Sequence, residues 1–133
     1  MSVENNPIRV LFADDEKPLR TLFEACFSGL SRLQITLVED GDQAVSELEK
    51  DPKPDILITD YNMPGHDGLA VIAFAKRVKP SIFTVLCTAS DVEQIKQMDI
   101  KGHIDAFVQK PSILNPLSDI IMSRFKEHID AAR

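Results

Sequence analysis

Five short apolar runs, each followed by a stretch whose apolar residues recur at helical spacing, constrain this chain more than any other feature. The runs, at 8–13, 34–39, 56–60, 82–88 and 104–108, are rich in β-branched and aliphatic residues and read as buried strands. Between the first two, Leu19, Leu22, Phe23, Cys26, Phe27 and Leu30 fall at i, i+3, i+4, i+7, i+8 and i+11, which predicts a helix with one continuous apolar face. Pro18 suits its first turn, where the missing N–H costs nothing. Strand and helix alternating five times predict an α/β fold, a mostly parallel sheet with helices on both faces.

The other helices announce their ends. Asp40-Gly41-Asp42 offers an N-cap to a short helix through Ala44, Val45 and Leu48, which Asp51-Pro52-Lys53-Pro54 terminates. Asp67-Gly68 opens a third helix carrying Leu69, Ile72, Ala75 and Val78 up to Pro80. Ser90 and Glu93 have the spacing of a capping box, so a fourth helix is expected to run to about Lys101 with Gly102 as its stop. Asn115 and Pro116 read as N-cap and N1 of a last helix whose face uses Leu117, Ile120, Ile121, Phe125 and Ile129. The whole chain of 133 residues is expected to be one domain, with its core at about 8–129.

Charge narrows the partners. A net charge of −6 and an isoelectric point near 5.0 argue against direct nucleic-acid or anionic-membrane binding and favour a small cation or a basic protein. The polar start, Met1 to Pro7, resembles no signal sequence, and no run approaches the length of a membrane span, so a cytoplasmic location is expected. Cys26 and Cys87 fall in apolar patterns without CxxC spacing and are expected to be buried free thiols.

Four of the five strands end on a reactive side chain: Asp14 and Asp15 on the first, Asp60 on the third, Thr88 on the fourth and Lys110 on the fifth. In an open α/β sheet these ends share one edge, where ligands bind. Converging carboxylates repel unless a hard cation joins them, and Mg²⁺ takes one or two carboxylates with carbonyls, waters and phosphate oxygens. A carboxylate can also attack phosphorus, with Lys110 and the Thr88 hydroxyl offsetting charge on the transferring group. Asp60 ends the central-looking strand and is the best candidate nucleophile; Asp14 and Asp15 are candidate metal-binding acids.

These residues resemble the receiver domain of two-component response regulators. The resemblance rests on Asp14-Asp15, on Asp60 within Thr59-Asp60-Tyr61-Asn62-Met63-Pro64-Gly65-His66-Asp67-Gly68, and on Thr88-Ala89, Phe107 and Lys110-Pro111, in order and at the family's spacings. It implies a doubly wound (βα)5 sandwich with flavodoxin-like strand order 2-1-3-4-5. It further implies phosphoryl transfer from a phosphohistidine to Asp60, with Asp15 and Asp60 binding Mg²⁺ directly, Asp14 assisting, and the Asn62 backbone carbonyl completing the set. Thr88 and Lys110 would bind the phosphoryl group, Phe107 would be the aromatic switch, and Lys110-Pro111 would be cis. Asn62 and Ser90 occupy positions that influence hydrolysis, whereas His66 departs from the apolar residue more common there.

The implied partners are a sensor histidine kinase or histidine phosphotransfer protein and a downstream target protein, with the fourth helix, Asp91 to Lys101, as the expected target surface. A monomer or a phosphorylation-dependent dimer fits equally, as does a stand-alone receiver or a fragment of a longer regulator. Such a protein would not be an enzyme beyond catalysing its own phosphorylation and dephosphorylation. Two other classes compete. A Mg²⁺-dependent aspartyl-phosphate phosphohydrolase would usually carry D-x-D after the first strand, where this chain has adjacent acids; a flavodoxin-like nucleotide binder would need a phosphate loop that Asp14-Asp15-Glu16 would repel. His66, His103 and His128 show no ligand spacing and are expected at the surface.

Overall fold

The structure, a computed structural model, describes residues 7–132, the side chains of Phe125 and of 127–132 excepted. The apolar runs become parallel strands β1 (Ile8–Ala13), β2 (Leu33–Val38), β3 (Ile56–Asp60), β4 (Phe83–Thr88) and β5 (Ala106–Gln109). Helices α1 (Lys17–Phe27), α2 (Gly41–Glu49), α3 (Gly68–Val78), α4 (Val92–Met98) and α5 (Leu114–Ala132) alternate with them. The sheet order is β2-β1-β3-β4-β5. The expected doubly wound fold, with its strand order, is the one observed.

Every residue of β3 is buried, as a central strand covered on both faces requires. One face packs Phe12, Ile56, Ile58 and Val85 against Phe23 and Phe27 of α1 and Leu117 and Ile121 of α5. The other packs Leu11, Leu57 and Leu86 against Ala44 and Leu48 of α2, Val71, Ile72 and Ala75 of α3, and Ile95 of α4. Phe12 and Phe23 stack at 4.3 Å between ring centroids, fixing α1 over the sheet.

Several expected details change, each for a local reason. Helix α1 buries only a stripe centred on Phe23 and Phe27, so Leu22, at 44% exposure, and Cys26 lie at its margin in solvent; Cys87 is buried as expected. Asp91, not Ser90, caps α4, because the Asp91 side chain accepts from the Glu93 amide while the Ser90 amide turns back to the Thr88 hydroxyl. Helix α4 stops at Met98, short of Lys101, since the Asp99 carboxylate accepts from the amides of His103 and Ile104 and draws the chain into a turn. The same turn delays β5 to Ala106, leaving Ile104 buried but outside the ladder.

Helix α5 begins at Leu114, with Leu117 N–H bonding to the Ile113 carbonyl. Pro116 therefore sits inside the first turn and Asn115 is not the cap. The predicted contributions of Phe125 and Ile129, together with His128 and residues 1–6, lie outside the described side chains. Among the described residues, no helix is long and apolar enough to cross a membrane.

Helix α2 starts as expected, with the Asp40 side chain accepting from Gln43 N–H. Gly41 also meets the loop after β3: its N–H donates to the Pro64 carbonyl, and a Cβ there would lie 1.9 Å from the His66 carbonyl oxygen. Asp42 then reaches His66 Nδ1 at 2.7 Å. The loop that follows Asp60 is thereby seated on α2.

Candidate functional site: an acidic edge around one lysine

The register of the strands decides what meets at the carboxyl edge. Asp60 pairs with Cys87 and Thr88 with Gln109, while Asp14 and Lys110 continue from the ends of β1 and β5, their amides donating to the carbonyls of Val38 and Thr88. Side chains that are 50 to 96 residues apart in sequence are brought within bonding distance. Lys110 Nζ lies 3.0 Å from Asp14 Oδ2, 3.0 Å from Glu16 Oε2 and 3.1 Å from Asp60 Oδ2. Asp14, Asp15 and Asp60 each offer a carboxylate oxygen within 4.8 Å of the others.

Asp14 is 1% exposed and held on several sides: its Oδ1 accepts from the Glu16 amide and its carbonyl accepts from Arg20. Asp60 is 8% exposed, and burial, then the neighbouring charges of Asp14 and Asp15, push its pKa up against the opposing pull of Lys110. Burial works against the Lys110 ammonium too, yet its bonds to Asp14 and Glu16 and the charges of Asp14 and Asp60 raise its pKa, so it stays protonated. Burial raises the Cys87 thiol to about 12, with Asp14 and Asp60 adding to the shift, so it is an inert core group beside the site.

The cluster opens into a cavity of about 500 Å³ lined by Glu16, Pro18, Leu19, Asp60, Asn62, Ala89, Lys110 and Pro111. Asn62 is exposed on its wall. Thr88 is fully buried, and its Oγ1 accepts from the Ser90 amide at 2.9 Å; the Ser90 carbonyl in turn accepts from the Gln109 side chain. Phe107 packs half-buried at the edge of the α2–α3–α4 face, with Lys96 Nζ 5.5 Å above its ring. The Lys110-Pro111 bond is cis, and so is Asp51-Pro52, which lacked any sequence signal. His66 is exposed, as expected.

The donor set suits a hard cation: carboxylates of mixed exposure facing one another, too many for Lys110 alone to neutralise. The contact of Glu16 with Lys110 spans 94 positions and leaves no local signal in the sequence.

Behind the acids, Gly68 opens α3, with Asp67 as its N-cap. Its amide donates to the Tyr61 carbonyl, and a Cβ at this position would lie 2.4 Å from the Asp60 carbonyl oxygen and 2.8 Å from Leu86 Cδ1. Gly68→Ala is expected to destabilise the fold by about 1–3 kcal/mol, as forced overpacking does, and to weaken divalent-cation binding by displacing Asp60. Thermal melts with and without Mg²⁺ check this; an unchanged melting temperature would show that the Asp60 backbone can give way.

Comparison with known proteins agrees with this geometry. Residues 10–122 match the family model described as the response regulator receiver domain. The phosphate regulon transcriptional regulatory protein PhoB of Klebsiella pneumoniae is 32% identical over 106 residues, 77% of this chain and 45% of its own length. The chemotaxis protein CheY of Halobacterium salinarum is 26% identical over 117 residues, 85% of this chain and 96% of its own. The chain thus spans about half of the first relative and nearly all of the second. A CheY-like receiver domain protein from Methanospirillum hungatei JF-1 superposes with a TM-score of 0.82 at 14% identity, covering 95% of this chain and 99% of that one. With the match running from within β1 into α5, the chain belongs to the receiver-domain family of two-component response regulators.

Proposed function

We propose that this chain accepts a phosphoryl group on Asp60 from a phosphohistidine and that the resulting aspartyl phosphate switches a partner-binding surface. The observation that carries the reading is Lys110, shared between Asp14 and Asp60 at 3.0 and 3.1 Å, beside a third carboxylate, Asp15. In this reading an Asp60 carboxylate oxygen attacks phosphorus in line with the departing imidazole nitrogen. Lys110 then bonds a phosphoryl oxygen. The Thr88 hydroxyl accepts from the Ser90 amide and so keeps its own proton as a donor to the same group.

Asp15, Asp60 and the Asn62 carbonyl, with Asp14 assisting, would hold Mg²⁺. Bound there, the cation would offset both the carboxylate repulsion and the charge on the phosphoryl oxygens. Phe107 is the proposed aromatic switch, and Asn62 and Ser90 the proposed tuners of hydrolysis. Receiver domains work with histidine kinases and downstream effectors. For this chain we assign target contact to the surface of α4, and a cytoplasmic location follows from that kind of partnership.

Intact-protein mass after incubation with Mg²⁺ and acetyl phosphate tests the reading. One added phosphoryl group is expected with Mg²⁺ and none without it. Mg²⁺ at ten times its dissociation constant should also stabilise the fold by about 1.4 kcal/mol. Folded, Mg²⁺-loaded protein that neither gains mass nor consumes donor would overturn it, whereas steady turnover of phosphomonoesters would favour a phosphohydrolase.

A further inference from the structure

The Lys110 ammonium has three N–H bonds and three carboxylates within 3.1 Å: Asp14, Glu16 and Asp60. Its donors are fully claimed before any phosphoryl group arrives. A phosphoryl group on Asp60 brings new oxygens to the same place; the donor that Asp60 held can pass to them, but Lys110 can turn a second donor to the group only if Asp14 or Glu16 lets go. Asp14 is poorly suited to do so, because it is 1% exposed and its second oxygen already accepts from the Glu16 amide. The Glu16 side chain is 56% exposed, at the cavity mouth, where water can take over its oxygens at little cost.

The geometry points to Glu16 as a positioning residue that holds Lys110 ready in the unphosphorylated state and competes with the phosphoryl group for it. This rests on the proposed phosphorylation of Asp60 and adds a regulatory element to that site. Glu16 does not join the set of carboxylate oxygens that lie within 4.8 Å of one another, so its effect on the metal should be small. Its effect on anions should be direct, for two reasons. Its charge opposes the additional negative charge that phosphorylation brings. Its bond withholds a donor from that group.

With acetyl phosphate the step is balanced within the pair of reactants: an Asp60 oxygen forms the new O–P bond, and the P–O bond to acetate breaks with its electron pair leaving on acetate. No proton or further reactant is required. Removing the Glu16 charge should lower the barrier to this step and tighten equilibrium binding of an anionic phosphoryl mimic. An exposed unit charge a few ångströms away is worth a factor of roughly five, and salt should screen it.

The experiment compares wild type with Glu16→Gln, which keeps the side-chain shape, and with Glu16→Asp, which keeps the charge. Beryllofluoride affinity in Mg²⁺, followed by NMR of backbone amides, reads equilibrium binding without hydrolysis; the rate of mass gain from acetyl phosphate reads transfer. Glu16→Gln should bind beryllofluoride and take up phosphoryl about fivefold better at low salt, with the advantage shrinking at high salt, an unchanged Mg²⁺ affinity and an unchanged fold. Glu16→Asp should remain closer to wild type. Equal or weaker beryllofluoride binding by Glu16→Gln would overturn the competition. If neither wild type nor variant takes up beryllofluoride or phosphoryl, the phosphorylation of Asp60 itself fails, an outcome separable from the failure of Glu16 alone.

Discussion

Asp60→Asn is expected to take up no phosphoryl group at any Mg²⁺ concentration and, without metal, to be more stable than the wild type near neutral pH. The first half follows from the amide, which cannot attack phosphorus as a carboxylate does. The second follows from the buried charge. Burial and the charges of Asp14 and Asp15 outweigh the pull of Lys110, so the folded protein disfavours ionised Asp60 and raises its pKa above the ordinary 3.8. Between those two values the unfolded chain has released a proton that the folded protein still holds, so stability falls as pH rises through the window. Below 3.8 the penalty is absent; above the folded pKa it is complete.

The advantage of Asp60→Asn should therefore be absent near pH 3 and present at pH 7, and Mg²⁺ should narrow it by stabilising the wild type alone. Thermal melts at the two pH values, with and without Mg²⁺, measure this beside the mass assay. Equal stability at both pH values would mean that Lys110 fully compensates Asp60. Such an arrangement, destabilising until its ligand arrives, is common where function needs a perturbed group.

Lys110→Ala should have the opposite effect on stability and should slow phosphoryl uptake rather than abolish it. It leaves Asp14 and Asp60, 1% and 8% exposed, without the ammonium that now lies 3.0 and 3.1 Å away. Removing one partner from a buried ion pair typically destabilises by about 3–5 kcal/mol. Because Lys110 holds the Asp60 pKa down, its loss raises that pKa further, and the damage should shrink as pH falls and Asp60 takes up a proton. Loss of a charge that stabilises the transferring group should slow phosphoryl uptake about 10²–10³-fold. Denaturant melts across pH 4–8 and mass-gain kinetics check both. A variant within about 1 kcal/mol of wild type at neutral pH would show that water or Arg20 replaces the ammonium.

Much of this was legible in the residues. The apolar runs specified strands because a strand covered on both faces is apolar throughout, the 3.6-residue spacing specified helices with one buried face, and the Asp40 and Asp67 caps worked as written because capping is a bond within a few residues. Asp14, Asp15, Asp60 and Lys110 could be picked out as a group because each ends or follows a strand, and parallel strands deliver their ends to one edge. Thr88 was legible as a strand end, though its bond to Ser90 was not. The Ser90-Glu93 spacing misled: the pattern allowed a capping box, but Ser90 had a better partner in Thr88 and Asp91 took the cap.

The sequence by itself determined the element order, the buried strands and the reactive side chains at their ends, since all of these follow from local periodicity and composition. Only the tertiary structure decided which charges share Lys110, that Glu16 is among them, that Leu22 and Cys26 face solvent, and that Gly41 and Gly68 are close-packed against the loop behind Asp60. The reason is physical. Contacts between residues tens of positions apart depend on strand register and on the distance between layers, and no short stretch of chain encodes either.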